Sequence, residues 1–544
     1  MSPPRASTVV SGQVLLAAGR NGVQTAEAIG LADGRVVSAG SRADVLAAAA
    51  AGARLIDFGP AAVVPGLHDF HLHLVGMARA RREVSLDSSA DFEAALGAIH
   101  SAADRLAADA WLRGRGWHEA ALPAGELERL RAIIGQRPAL IYSHDGHSAW
   151  ASPMALQRAG IDAATPDPPG GRLERGADGT PTGILRERAT DLVEPVAERV
   201  VGEELDRALG ETVAELAALG ITGVVDAGDP AADNGLGAYA ALGDRAAALL
   251  AADHLDGRLR LTVNLPASAI GAASDLGLRT GQLLPGTSTV RVGWAKAFMD
   301  GALGSRTAAV FEPYSCGPAG ETGITRLSDA ELDAILAAGR AARIAVAVHA
   351  IGDRGVATVL DAIERATPRD NSMPPDRIEH LQLMRPSDMS RLAARDVTAS
   401  LQPIHCASDR LLVDACWTSR AAQAYPWRSL LDAGTNLAFG SDAPIESANP
   451  WHGIFAALHR RRPRDGTPDW HPEQALDISA AIGGYTAGPA TAAGLADEGH
   501  LRPGAHADLA ILNVDLGTLL RGDEALDTVR SELTLVAGME VHRS

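Results

Sequence analysis

The sequence predicts a TIM-like (β/α)8 barrel of the α/β class, with a small β-sandwich built from both chain ends. Three observations lead there. Apolar strand-like runs alternate with amphipathic helices through the middle of the chain, the pattern of a parallel sheet. Both ends switch to short strands and turns. Histidine, lysine and aspartate recur at the ends of the middle strands, where barrel enzymes place their chemistry.

Residues 8–62 hold the strand candidates Val9-Val10, Gln13–Leu16, Arg35–Val37 and Arg54–Asp57, with Asp33-Gly34 as a hairpin turn. The far end repeats this texture in Ala507–Asn513 and Leu533–Val541, so residues 1–62 plus 498–544 read as one composite sandwich. The barrel is expected over 63–497, with strands at Ala62–Phe70, Ile221–Ala227, Arg258–Leu265, Val290–Met299, Arg343–His349, Arg377–Leu381, Val397–Pro403 and Asn436–Asp442. Ser328 and Glu331 form a capping box at the head of the helix Ser328–Ala341. The largest insertion, at about 85–205, follows the first strand and carries Trp111, Trp117, Trp150 and the loop Pro166–Gly171.

Composition narrows the function classes. A chain of 544 residues exceeds what one core usually supports, which suits a large barrel or two domains. A net charge of −18 argues against a nucleic-acid partner, and Arg460-Arg461-Arg462 reads as a solvated loop. No window approaches about 18 unbroken apolar residues, so no membrane span is expected. No basic segment precedes an apolar core at the start, so no signal peptide is expected. Cys316, Cys406 and Cys416 are too few and too scattered for a disulfide framework, so a cytoplasmic location is expected.

Of the 49 basic residues only Lys296 is lysine, in an apolar run. Arginine serves wherever a positive charge suffices, but guanidinium cannot lose its proton and react. The strand ends add to this signal. Strand one ends in His71-Leu72-His73, and an alternating pair on a strand points both imidazoles to one face, as two ligands of one metal require. Strand four carries Lys296, strand five ends at His349, strand six at His380 and strand eight at Asp442. Each alone is also what a hydrogen-bonded core residue looks like. Six in strand order around one rim indicate a metal centre, and nitrogen and oxygen donors of this kind suit zinc, with manganese, iron or cobalt as alternatives.

Longer motifs carry a resemblance: Gly114–Trp117, Asp145–Trp150, Gly183–Glu187, Ile221–Asp226, Asp300–Thr307, His349–Asp353, Ser400–Pro403 and Gly440–Asp442. Through them the chain resembles the amidohydrolase superfamily, and within it the YtcJ-like branch that includes N-substituted formamide deformylase. The resemblance spans nearly the whole length. His68 and Phe70 depart from it, standing where that family more often has an aliphatic and a small residue. The resemblance implies that His71, His73 and Asp442 hold one divalent ion and His349 and His380 a second. Between the two, Lys296 would carry CO2 as a bridging carbamate.

The activity expected is hydrolysis of a non-peptide C–N bond (amide, N-formyl or related acyl-nitrogen) by metal-activated hydroxide, with Asp442 as proton shuttle. A mononuclear deaminase or cyclic amidine hydrolase, an ester or lactone hydrolase, and a catalytically silent scaffold are the alternatives; the last would typically have lost ligands that are all present here. Asp145, His147, Trp117, Trp150 and Arg306 are the candidate substrate contacts; equally, Asp145 and His147 suit a hydrogen-bonded loop, the two tryptophans a core, and Arg306 an ion pair with an acidic neighbour. His405, after strand seven, could reach the pocket, but a surface role is the preferred reading. The partner expected is a small-molecule substrate, with no nucleic acid and no membrane, and a homodimer is left open.

Overall fold

A computed structural model describes residues 4–86, 92–107, 109–117, 126–228, 257–284 and 287–544. Its centre is an eight-stranded parallel sheet: β1 (Leu67–Leu72), β2 (Ile221–Asp226), β3 (Arg260–Pro266), β4 (Val290–Phe298), β5 (Val346–Ala350), β6 (Arg377–His380), β7 (Thr398–Leu401) and β8 (Leu437–Phe439). These strands are buried almost throughout, as parallel strands covered on both faces must be. All eight expected runs are present, and the sheet is nearly closed into a barrel. Just beyond the last ladder, the Asp442 amide donates to the His71 carbonyl at 2.7 Å and the His73 amide to that of Ala443 at 2.8 Å. That seam brings the His-x-His pair beside Asp442.

The first expected strand, Ala62–Phe70, divides in two. Arg54–Pro65 belongs to the terminal sheet, and the barrel strand starts only at Leu67. Gly66 marks the handover. Any Cβ there would strike the Thr222 side chain, and its amide donates to the Asp508 carbonyl.

The termini build one seven-stranded sheet. Its order is Met539–Arg543, Ser531–Val536, Leu509–Asp515, Arg54–Pro65, Thr8–Ala17, Gln24–Ala32 and Arg35–Gly40. Val10, Ile29, Ile56, Val63, Ile511 and Leu533 form its own core. The expected hairpin at Asp33-Gly34 is there, with φ of 50° and 73°, the pair of positive values such a turn needs.

Between β1 and β2 stands a third, six-stranded sheet ordered Gly171–Arg175, Pro181–Glu187, Ser148–Ala151, Ala139–Ser143, Leu112–Trp117 and Val84–Ser85. The helices Phe92–Ala103 and Glu126–Ile134 pack on it through Leu96, Ile99 and Leu130. The capping box at Ser328 also forms, at the head of the helix Asp329–Ala342.

The reading of the cysteines needs correction. Cys316 and Cys416 are joined as a disulfide, with Cα atoms 4.6 Å apart, while Cys406 is free and buried. The barrel brings the loop after β4 beside the end of the helix Pro403–Cys416, a closeness that 100 residues of separation conceal. Among the described residues no helix is long and apolar enough to cross a membrane.

Candidate metal centre

At the C-terminal rim, His71 and His73 turn their Nε2 atoms toward one oxygen. Oδ1 of Asp442 lies 3.3 Å from His71 Nε2 and 3.1 Å from His73 Nε2. Donor atoms bound at about 2.0–2.1 Å to a tetrahedral ion stand roughly 3.3 Å apart, so both of these separations suit donors that share one ion. The opposite ring nitrogens are anchored. His71 Nδ1 faces Glu379 Oε2 at 2.5 Å, and His73 Nδ1 faces the Gly228 carbonyl at 2.5 Å. Such outer partners fix the tautomer that leaves Nε2 free to ligate.

Glu379 is itself held in a buried pair with Arg377 at 2.6 Å. The Arg377 guanidinium lies 4.5 Å from the Phe70 ring centre and 4.4 Å from that of Trp294. Phe70, a departure from the family pattern, therefore has a place: it covers the charge pair beneath the ligands.

His349 and His380 complete the ring, their centroids 4.5 Å apart, with His380 also 5.0 Å from His71. His349 Nε2 faces the Gly301 carbonyl at 3.1 Å, which leaves Nδ1 as its donor atom. His380 Nδ1 is buried with no hydrogen-bond partner among the described residues, as suits a ligand. Lys296 is 4 % exposed, and its Nζ lies 4.9 Å from the Phe298 ring centre. His380 and Asp442 have φ of 76° and 60°, strained for non-glycine residues and of a kind that clusters at functional sites.

Electrostatics agree with this geometry. Burial pushes the His349 and His380 pKa values well down, and neighbouring cations add to it, so both rings are neutral as ligands must be. Burial would raise Asp442, but His71, His405 and His73 together hold it well below the usual carboxylate range. These donors fit a divalent ion, with a second set alongside the first: those of His380, His405 and Asp442 also lie within 4.8 Å of one another.

The centre opens into a cavity of about 210 Å3 that Lys296, Phe298 and all the expected ligands line. The insertion forms the facing wall with Asp145, His147 and Glu187. Asp145 accepts from the hydroxyls of Ser143 and Ser305 at 2.5 and 2.6 Å. His147 Nδ1 faces Glu187 at 3.0 Å, and its ring lies 4.9 Å from that of His349. Asp145 and His147 thus line the same cavity as the expected metal ligands.

Three other expected contacts stand elsewhere. Trp117 and Trp150 are buried in the core of the insertion, Trp117 donating its Nε1 hydrogen to the Ile141 carbonyl at 2.9 Å. Neither lines the cavity, because their strands turn these faces to the insertion's own helices. Arg306 pairs with Glu321 at 3.1 Å in a separate open cleft. His405 also needs correction. The helix Pro403–Cys416 starts directly after β7, so His405 falls in its first turn, 8 % exposed, with Nε2 3.2 Å from Asp442 Oδ2.

Glu379, Glu187 and Arg326 went unread in the sequence. A carboxylate immediately before the strand-end His380 was the available signal for Glu379.

Comparison with known proteins adds a second line. The model described as the amidohydrolase family matches residues 54–542. The chain belongs to the amidohydrolase family. It is 31 % identical over 477 residues to the amidohydrolase YtcJ of Bacillus subtilis, covering 85 % of each chain. It is 26 % identical over 533 residues to N-substituted formamide deformylase of Arthrobacter pascens, covering 95 % of this chain and 94 % of that one. An uncharacterized metal-dependent hydrolase from Pyrococcus horikoshii superposes with a TM-score of 0.73 at 26 % identity, over 95 % of this chain and 99 % of that one. Family, fold and donor set agree on a metal-dependent hydrolase.

Proposed function

We propose that this amidohydrolase-family protein cleaves a non-peptide C–N bond in a small molecule: an amide, an N-formyl group or a related acyl-nitrogen linkage. One observation carries the reading most. A single buried carboxylate, Asp442, turns one oxygen to the Nε2 atoms of both His71 and His73 at the cavity floor. The likeness to N-substituted formamide deformylase supports the choice of bond.

His71, His73 and Asp442 would hold one divalent ion, and His349 and His380 a second. Lys296 between them would carry a carbamate, formed when its free amine adds to CO2 and releases a proton. Zinc suits this set. When bound, the ion lowers the pKa of a coordinated water to about 7 and polarises the scissile carbonyl.

The remaining work falls to side chains. Asp442 accepts the proton of the attacking water and returns it to the departing nitrogen. That return is necessary, because an amine anion is too basic to leave. His405 holds the other oxygen of Asp442, and Glu379 keeps His71 in the ligating tautomer.

The test is a panel of N-formyl, N-acyl and cyclic amides beside matched esters, with the purified protein and its bound metal counted per chain. Release of amine from formamides or acyl amides is the expected result. Ester cleavage alone, or ammonia from an amidine, would replace the reading with one of the other hydrolases.

A further inference from the structure

We propose that Glu187 is a positioning residue that fixes His147 over the metal centre, and that barrel residues 300–307 are the socket that holds it. The proposal rests on the hydrolase reading above and adds a residue that reading does not use.

Glu187 ends the insertion strand Pro181–Glu187 and is 3 % exposed. Its Oε2 lies 3.0 Å from His147 Nδ1 and 3.3 Å from Arg326 Nη1, and its Oε1 accepts from the Thr307 hydroxyl. Burial alone would raise its pKa, but His147 and Arg326 outweigh that, so the carboxylate is charged. Its backbone has φ 50° and ψ −129°, a region rare for anything but glycine. A strained backbone that delivers a buried carboxylate to three donors is over-determined by its surroundings.

The socket is written into Asp300–Thr307. A Cβ on Gly301 would collide with the Glu187 carboxylate and the Thr307 hydroxyl. A Cβ on Gly304 would stand 2.7 Å from Asp145 Oδ2, which accepts from Ser305 at 2.6 Å. Two glycines clear space for two insertion carboxylates, and two hydroxyl residues bind them.

Both carboxylates converge on His147. Asp145 accepts its backbone N–H at 3.1 Å, while Glu187 takes its ring Nδ1. The ring is thereby held against His349, and Nε2 is left for the cavity. Mere attachment of the insertion would need the carboxylates and their donors. It would not need a histidine clamped at both backbone and ring.

A double-mutant cycle separates the two roles. Glu187→Gln, His147→Ala and the pair are prepared as metal-loaded enzymes and assayed on the amide that the wild type cleaves best. Misplacing a reacting-site group by about 1 Å costs on the order of 10²-fold, so Glu187→Gln should lower kcat by about that factor with KM and bound metal near wild type. In the His147→Ala background the same change should have little further effect, since coupled residues are not additive. Independent, multiplicative losses would overturn the proposal. Thr307→Val, which keeps the carboxylate, guards against a misfolded Glu187→Gln and should show the same dependence on His147. If the wild type cleaves no amide, the hydrolase reading fails by itself, and a crystal structure of Glu187→Gln still decides the positioning. A released His147 ring supports it, and an undisturbed one overturns it.

Discussion

The barrel rim and the insertion face each other across one cavity, yet their side chains carry different kinds of information. On the barrel, a residue's place along a strand sets its direction, so His71, His73, His349, His380 and Asp442 meet at the rim. In the insertion, size misleads. Trp117 and Trp150 fill the core between sheet and helices, while the small polar turn around Asp145 and His147 reaches the chemistry. Large aromatics in a compact unit report on packing first. Polar residues with buried partners report on the site.

The sharpest attempt to break this contrast is Lys296→Arg, which keeps the charge and removes the amine. It should abolish metal retention, counted as ions per chain after gel filtration; a variant with full metal would leave Lys296 outside the centre. Next comes Asp442→Asn, which keeps an oxygen ligand but cannot take a proton. It should lower kcat by roughly 10²–10⁴-fold, read from saturation kinetics beside metal content. On the insertion side, Trp150→Ala should lower unfolding free energy by about 3–5 kcal/mol in denaturant titration. Its relative kcat/KM across the amide panel should stay unchanged, and a changed preference would restore Trp150 as a pocket wall.

His405→Asn tests a support of the ligands, and such partners typically contribute about 10–100-fold in affinity or activity. A loss in that range is expected on every substrate alike. The smallest effect belongs to Arg306→Ala. Its pair with Glu321 lies in a cleft apart from the metal cavity, so KM for anionic and neutral amides should move together and little.

How much of this was legible in the sequence follows from the same contrast. Most parallel strands covered on both faces are continuous apolar runs, and all eight were found, with the first overshooting because terminal sheet and barrel abut at Gly66. The strand-end donors were legible because a strand's end points its side chains at one rim, and the cavity brings them together. What failed depended on distances the chain does not write down. The disulfide joins two loops 100 residues apart, and His405 turned inward because a helix begins at once after β7. Glu187 stood inside a quoted motif, but its meaning needs His147, Thr307 and Arg326 beside it.

The terminal sheet bears on how the chain is made. Arg54–Pro65 lies between Thr8–Ala17, synthesised before it, and Leu509–Asp515, synthesised almost last. At about 5–20 residues per second, one edge of that strand waits on the order of tens of seconds for its neighbour. Val63 and Val64, fully buried in the finished protein, stand at that open edge throughout. An unpaired apolar edge is a template for other chains, so the nascent protein is most exposed to aggregation while its barrel is being built. Fragments ending before Leu509 should aggregate even with every metal ligand present.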